Sequence, residues 1–339
     1  MKDIADAVGV STMAVSVVLS GSGNQKVSVS PAKAERIRQV AKELRYRPNQ
    51  NARSLKTRRT NQVAVVFQHF SELGPEHPYH IQVLNGVTSA LFPAGYAMTL
   101  CPRIIIDGDA FSMSDGRFDG VLWCRPEFDS ESLEAISSAG VPVVMMHVPP
   151  GLMSGVPTFC ADNDGAMRQV VQHLVSLGHE RIAFVIDPVS VKSVEGGARN
   201  HALTRAAQQA GIPKPGLVVL GRDHSILTRY AEKDAPHTAL VCFSDELAGF
   251  VLQSCDRMGV EVPRDISVIG FDSSKFCEGT KPRLTSVNQP VDRMAQAATN
   301  HLLSLIHDDE RGLPRSPMAC CLYDCALDVR ESTGPPRAH

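Results

Sequence analysis

The apolar positions of the chain follow two regimes. Through residue 46 they recur at helical spacing: Ile4, Ala5 and Val8 share one face of "KDIADAVGV", Gly9 supplies a turn residue, and Val15, Val18 and Leu19 form the inward stripe of "STMAVSVVLSG". Ser11 is placed to cap this second helix and Gly21 to end it. A third helix is expected to open on Ser30 and Pro31, to bury Ile37, Val40, Ala41 and Leu44, and to stop before Pro48. From Gln62 onward, short apolar runs alternate with amphipathic stretches, the pattern of stacked βαβ units around two parallel sheets. The predicted strands are 63–67, 97–101, 120–123 and 143–146, then 182–186, 217–220, 239–243 and 266–270. Helices are predicted at 79–91, 165–177, 198–210, 246–258 and 291–306, with Gly95, Gly140, Gly178, Gly211 and Gly259 near their C-termini.

Charge sharpens the boundary between the regimes. Residues 1–60 hold twelve Lys and Arg against four Asp and Glu, a net +8, whereas the whole 339-residue chain is −2, which leaves −10 on the rest. A basic head on an acidic body is expected where the head alone approaches phosphate. Thr12, Met13, Ser16, Val17 and Ser20 line the outer face of the second helix. With Ser11 they are the predicted readout set, since short side chains let a helix lie deep in the major groove.

Composition removes other classes. No apolar run approaches the ~20 residues that span a bilayer, and no N-terminal leader pattern is present, so a cytoplasmic location without a membrane partner is expected. Nine cysteines without a C-x-x-C pair suit reduced thiols, and Cys320, Cys321 and Cys325 read as strand core rather than a metal site. G-x-S-x-G, G-x-x-x-x-G-K and H-E-x-x-H are all missing, and the "GSG" at Gly21 follows no strand. No catalytic residue, cofactor or metal is therefore expected, and an enzyme on a Rossmann-like frame is disfavoured.

The head, "DIADAVGVSTMAVSVVLSGSG" and "VSPAKAERIRQVAKELRYRPNQNARSLKTRRT", resembles that of the lactose/galactose-repressor (LacI/GalR) family of transcriptional regulators. The body resembles the family's effector domain, itself similar to periplasmic sugar-binding proteins, through "ADNDGAMRQVVQHLVSLGHERIAFV", "SDELAG", "VPRDISVIGFD", "PRLTSVNQPVDRMAQAA" and "VRESTGPP". The implied fold class is an N-terminal all-α helix-turn-helix head plus an α/β periplasmic-binding-protein-like effector domain of two Rossmann-like lobes. Its implied parts are a head at 1–46, a hinge helix or linker at 47–60, an effector and dimerisation domain at 61–332 and a tail at 333–339. The first lobe is expected at 61–161 and 291–318, the second at 162–289 and 319–332.

The resemblance implies that "YRPNQNARSLKT" folds as a hinge helix on operator DNA, with Asn49, Ala52, Arg53, Leu55 and Lys56 in contact and Leu55 wedged into the minor groove. Val17 stands where the family usually has arginine and Met13 where a polar residue is common, which favours thymine-methyl contact over hydrogen bonds to guanine. The turn "GSGNQKVSV" is longer than usual, while the segments 107–117 and 223–234 are shorter. The family has a Thr or Ser cap just before the position of Met1, so the natural start is expected a few residues upstream.

Open α/β sheets bind ligands beyond the carboxyl ends of their strands. By family position Arg199, Ser244, Asp272 and Gln289 face the cleft, with Tyr79 as a stacking wall, and Asp245 reads as the cap of its helix. His147 stands where the family often has aspartate, and Arg125 follows the neighbouring strand. Imidazole in place of carboxylate, with an added guanidinium, points to an anion such as an acidic sugar. The implied partners are a pseudo-palindromic double-stranded DNA operator, a sugar-like or acidic-sugar effector and a second copy of the chain, with repression the implied mode. A periplasmic ligand-binding protein would share the body but need a leader and lack the basic head. No leucine-heptad tail follows "VRESTGPPRAH", so a tail-built tetramer is not expected.

Overall fold

The computed structural model describes residues 1–20, 28–47, 54, 59–67, 78–101, 115–124, 130–149, 151–221, 225–230, 232, 235–310 and 320–337. The chain divides into two compact units, Met1–Thr60 and Asn61–His339.

In the first unit α1 (Lys2–Val8) stops at Gly9, whose φ of 66° lets its N–H return to the Ala5 carbonyl. For α2 (Thr12–Ser20), Ser11 Oγ accepts from the Ala14 N–H at 3.2 Å, the predicted cap. α3 (Pro31–Glu43) has Ser30 at its N-cap position, but that hydroxyl makes no cap hydrogen bond, so its start rests on Pro31. Ile4, Ala5, Val15, Ile37, Val40 and Ala41 form the core, with Val18 and Leu19 packed at its edge. Leu44, expected inside, is 52% exposed, because α3 ends at Glu43 and Leu44 becomes the C-cap residue.

The second unit holds two sheets. The first joins β1 (Gln62–Val66), β2 (Ala97–Cys101), β3 (Gly120–Trp123), β4 (Val143–Met146), β5 (Thr158–Ala161) and β11 (Cys320–Tyr323) in the order β11-β5-β4-β3-β1-β2, all parallel. The second joins β6 (Ile182–Ile186), β7 (Gly216–Val219), β8 (Ala239–Cys242), β9 (Ser267–Phe271), β10 (Thr285–Asn288) and β12 (Ala326–Asp328) in the order β12-β10-β9-β8-β6-β7, with only β12 antiparallel. Helices cover the sheets: α4 (Pro78–Leu91), α5 (Ser130–Ser137), α6 (Asn163–Ser176), α7 (Val194–Gln209), α8 (Asp245–Met258), α9 (Phe276–Gly279) and α10 (Val291–Glu310). β3, β4, β6, β8 and β9 are buried along their whole length, as strands covered on both faces must be.

The chain crosses between the sheets after β5, after β10 and again between β11 and β12. The last crossing corrects the expected boundary at 319. β11 pairs with β5 from Cys320↔Thr158 to Tyr323↔Ala161, so Cys320–Tyr323 belongs to the first lobe and the crossing falls at Asp324 and Cys325. Two of the crossings are tied together, since the Asp162 N–H donates to the Tyr323 carbonyl at 2.8 Å. Gln169 adds a clamp: its Nε2 donates to the Cys325 carbonyl at 2.8 Å and its Oε1 accepts from the Leu327 N–H at 3.2 Å. The core reading of the cysteine trio holds only for Cys325. Cys320 is exposed and Cys321 half-buried, because β11 is an edge strand.

Candidate functional site

Polar side chains that follow the carboxyl ends of the strands meet between the two sheets. Arg199 in α7 is only 4% exposed, and its guanidinium carbon lies 3.6 Å from the ring centre of Phe271 and 4.8 Å from that of Phe243. Its Nε and Nη2 donate to Glu195 Oε1, one turn earlier, at 3.2 and 3.1 Å, while Nη1 donates to the Phe243 carbonyl at 2.6 Å. Glu195 also accepts from Asn163 Nδ2, at the start of α6, at 3.1 Å. This is the satisfaction that a buried ion pair requires. Beyond β9 the chain runs through Asp272, at φ 121°, whose Oδ1 accepts from Gln289 Nε2 at 2.5 Å. Burial raises the Asp272 pKa well above the ordinary carboxylate range, and the neighbouring Asp245 adds to this.

On the first lobe, His147 follows β4 at φ 59° and is 4% exposed. Its ring packs edge-on to Tyr79 with ring centres 5.4 Å apart. Burial pushes the His147 pKa down to about 4, against the opposing pull of Glu195 and with a smaller push from Arg199, so the imidazole is neutral at pH 7. Among the described residues neither ring nitrogen has a partner, and the same is true of Asn163 Oδ1 and Gln289 Oε1. Burial likewise raises the Tyr79 phenol, followed by Cys124 and Asp272. Side chains held at positive φ, as His147 and Asp272 are, cost about 1–3 kcal/mol each and cluster where a ligand is gripped.

The structure therefore brings Tyr79, His147, Arg199, Asp272 and Gln289 together. Ser244 is half-buried, and its Oγ accepts from the Leu247 N–H at 3.2 Å, which makes it the N-cap of α8. The cap assigned to Asp245 is thereby corrected. Asp245 is a buried hub that accepts from the Ser274 N–H at 2.9 Å, Ser274 Oγ at 3.1 Å, Cys277 Sγ at 3.1 Å and Ser286 Oγ at 2.5 Å. It pins the segment after β9, which carries Asp272, against β10. Sequence reasoning also passed over Asn163 and Glu195. The signal for Glu195 was its place four residues before Arg199, on one helical face. Arg125 lies outside the described residues.

The first 49 residues match the bacterial regulatory proteins of the lacI family, and residues 171–333 match the periplasmic binding protein-like domain. The HTH-type transcriptional regulator CelR of Thermobifida fusca is 31% identical over 343 residues, covering 97% of this chain and 96% of the relative. The chain belongs to the LacI family. The HTH-type transcriptional repressor PurR of Glaesserella parasuis is 28% identical over 349 residues, 98% of this chain and 97% of its own. Among solved structures, a CelR–cellobiose complex aligns with a TM-score of 0.70 at 28% identity over 97% of this chain and 98% of that one. The lac repressor dimer bound to operator and the anti-inducer ONPF shares the fold, with a TM-score of 0.80 at 21% identity over 98% of each chain. As a LacI-family protein, the chain is a DNA-binding transcriptional regulator controlled by a small molecule.

In this LacI-family head the outer face of α2 is open. Ser11, Thr12 and Met13 are exposed, Met13 to 56%, while Ser16 and Val17 are half-buried; the side chain of Ser20 lies outside the described residues. Lys2, Lys33, Arg36, Arg38, Lys42, Arg45 and Arg47 are all exposed; Arg38 pairs with Glu35 at 3.2 Å and Arg36 with Glu43 at 3.9 Å. Asn49, Ala52, Arg53, Leu55 and Lys56 lie outside the described residues. Among the described residues, no helix is long and apolar enough to cross a membrane.

Proposed function

We propose that the chain represses transcription as a cytoplasmic homodimer reading a pseudo-palindromic operator through Ser11, Thr12, Met13, Ser16, Val17 and Ser20. Asn49, Ala52, Arg53, Leu55 and Lys56 contact DNA through the hinge. A sugar-like effector held by Tyr79, His147, Arg199, Asp272 and Gln289, beside Ser244 and Arg125, sets operator affinity. Identical subunits about a two-fold axis match an inverted repeat.

One observation carries the effector half. The Glu195–Arg199 and Asp272–Gln289 pairs of the second lobe lie close enough to Tyr79 and His147 of the first to act on them electrostatically, and neither His147 ring nitrogen has a partner among the described residues. A ligand touching both rows bridges the lobes, and its differential contacts shift the balance between two lobe arrangements. The cellobiose in the CelR complex supports a sugar as the class. The chain acts by binding rather than turnover, so effector recovered after long incubation is expected unchanged.

The test is a genome-wide footprint of the bound protein, followed by anisotropy titration of the sites found. Inverted-repeat duplexes should bind in a salt-sensitive way, and the metabolite handled by the neighbouring genes should change that affinity. A protein showing no sequence preference on any duplex would end the reading.

A further inference from the structure

The inference concerns what the cleft accepts, and it rests on the reading of that cleft as the effector site. Four buried atoms there have no partner among the described residues: His147 Nδ1 and Nε2, Asn163 Oδ1 and Gln289 Oε1. The two amides are oriented by their other ends, since Asn163 Nδ2 donates to Glu195 Oε1 and Gln289 Nε2 donates to Asp272 Oδ1. Their oxygens are what remains for a ligand, and an amide oxygen only accepts. The neutral imidazole offers one further acceptor and one donor, whichever tautomer it adopts. These four atoms thus ask a ligand for three donated hydrogens and supply one. Leaving such buried groups unfilled carries their full desolvation cost.

Charge points the same way. Arg199 is matched by Glu195 at 3.1 Å, so it presents no net charge, and Asp272 adds a carboxyl group without a cation of its own among the described residues. An incoming carboxylate donates none of the three hydrogens and meets no uncompensated cation among the described residues. We propose that the cleft selects an uncharged, donor-rich ligand, such as one with adjacent hydroxyls, and rejects carboxylates, with His147 as a specificity-determining residue. This reverses the anionic ligand expected from sequence. Exchanging a carboxylate for imidazole adds no positive charge at a buried site where the ring stays neutral; it exchanges a charged acceptor for an uncharged donor–acceptor pair.

The test uses the full-length protein and matched pairs: glucose and glucuronate, galactose and galacturonate, cellobiose and cellobionate, each followed by calorimetry. At least one neutral member should bind, with its acid counterpart at least tenfold weaker. His147→Leu should weaken the neutral ligand at least tenfold, whereas His147→Asn, which keeps an acceptor and tolerates positive φ, should retain most of the affinity. The His147 ring, followed by nitrogen NMR, should be neutral when empty and shift on binding, a readout independent of the variants' stability. An acid bound as tightly as its neutral partner overturns the proposal, as does the failure of every neutral member to bind. Arg199→Ala and Gln289→Ala separate this outcome from failure of the underlying reading. A ligand indifferent to both is not in this cleft, and then the site itself is misplaced.

Discussion

His147 combines a strained backbone, a buried ring and two nitrogens without a partner among the described residues, and each has a measurable consequence. With its pKa near 4 when folded and about 6.5 when unfolded, the unfolded chain takes up the proton first as pH falls. The stability this neutral ring contributes is complete above pH 6.5 and is lost toward pH 4. His147→Asn should therefore flatten the acid side of the urea-unfolding profile by roughly 2–3 kcal/mol at pH 4 relative to the parent. Parallel profiles would show that the ring is already charged in the folded state. Asp245 makes the opposite kind of prediction: its buried carboxyl collects four donors, so Asp245→Ala should cost about 3 kcal/mol or more, and Asp245→Asn less, in the same assay. Family position brings Arg199, Asp272, Gln289 and Tyr79 to one place, and two of them, Asp272 and Gln289, lie in quoted motifs just beyond strand ends. Glu195, Asn163 and Asp245 escaped because an acid or amide at a helix start looks solvated or capping until its burial is known.

Helices α4 and α10 touch at Gly86. A Cβ there would come within 2.2 Å of the Asp292 carbonyl oxygen and 2.7 Å of Ala295 Cβ, and the first of these is backbone that cannot swing aside. Gly86→Ala should destabilise the second unit by about 1–3 kcal/mol and lower its Tm, even though alanine is the better helix former. A raised Tm would mean that the two helices are free to separate. Elements with long apolar runs, such as β4 and β6, were legible because strands covered on both faces are mostly apolar. β5 and β10 were not, since Thr158, Thr285 and Ser286 interrupt the pattern. Their polarity makes sense only with its partners: Thr158 Oγ1 bonds the Val148 carbonyl, the Thr285 N–H donates to Ser332 Oγ at 2.8 Å, and Ser286 serves Asp245. Those partners lie far along the chain or in irregular segments, where periodicity says nothing. Leu44 failed for a different reason: helical phase predicts facing only while the helix lasts.

The two compact units carry opposite net charge, and their ligands should respond differently to salt. Operator affinity, which rests on phosphate, should fall steeply on going from 50 to 200 mM salt, by about 10³-fold or more if six or more phosphates are neutralised. Effector affinity, built on buried and uncharged contacts, should barely move over the same range, and matched salt slopes for both ligands would contradict the division of labour. The two-lobed plan could be read from the chain, but its last boundary could not, because nothing in "CCLYDCALD" marks the change of sheet. That change occupies Asp324 and Cys325 alone, a span of about 10 Å at full stretch. With Gln169 gripping its far side and Tyr323 bonded to Asp162, the halves have a spine but no slack. A joint this short keeps the two halves close at Asp324 and Cys325, so a ligand seated far from it has the longest lever on the angle between them.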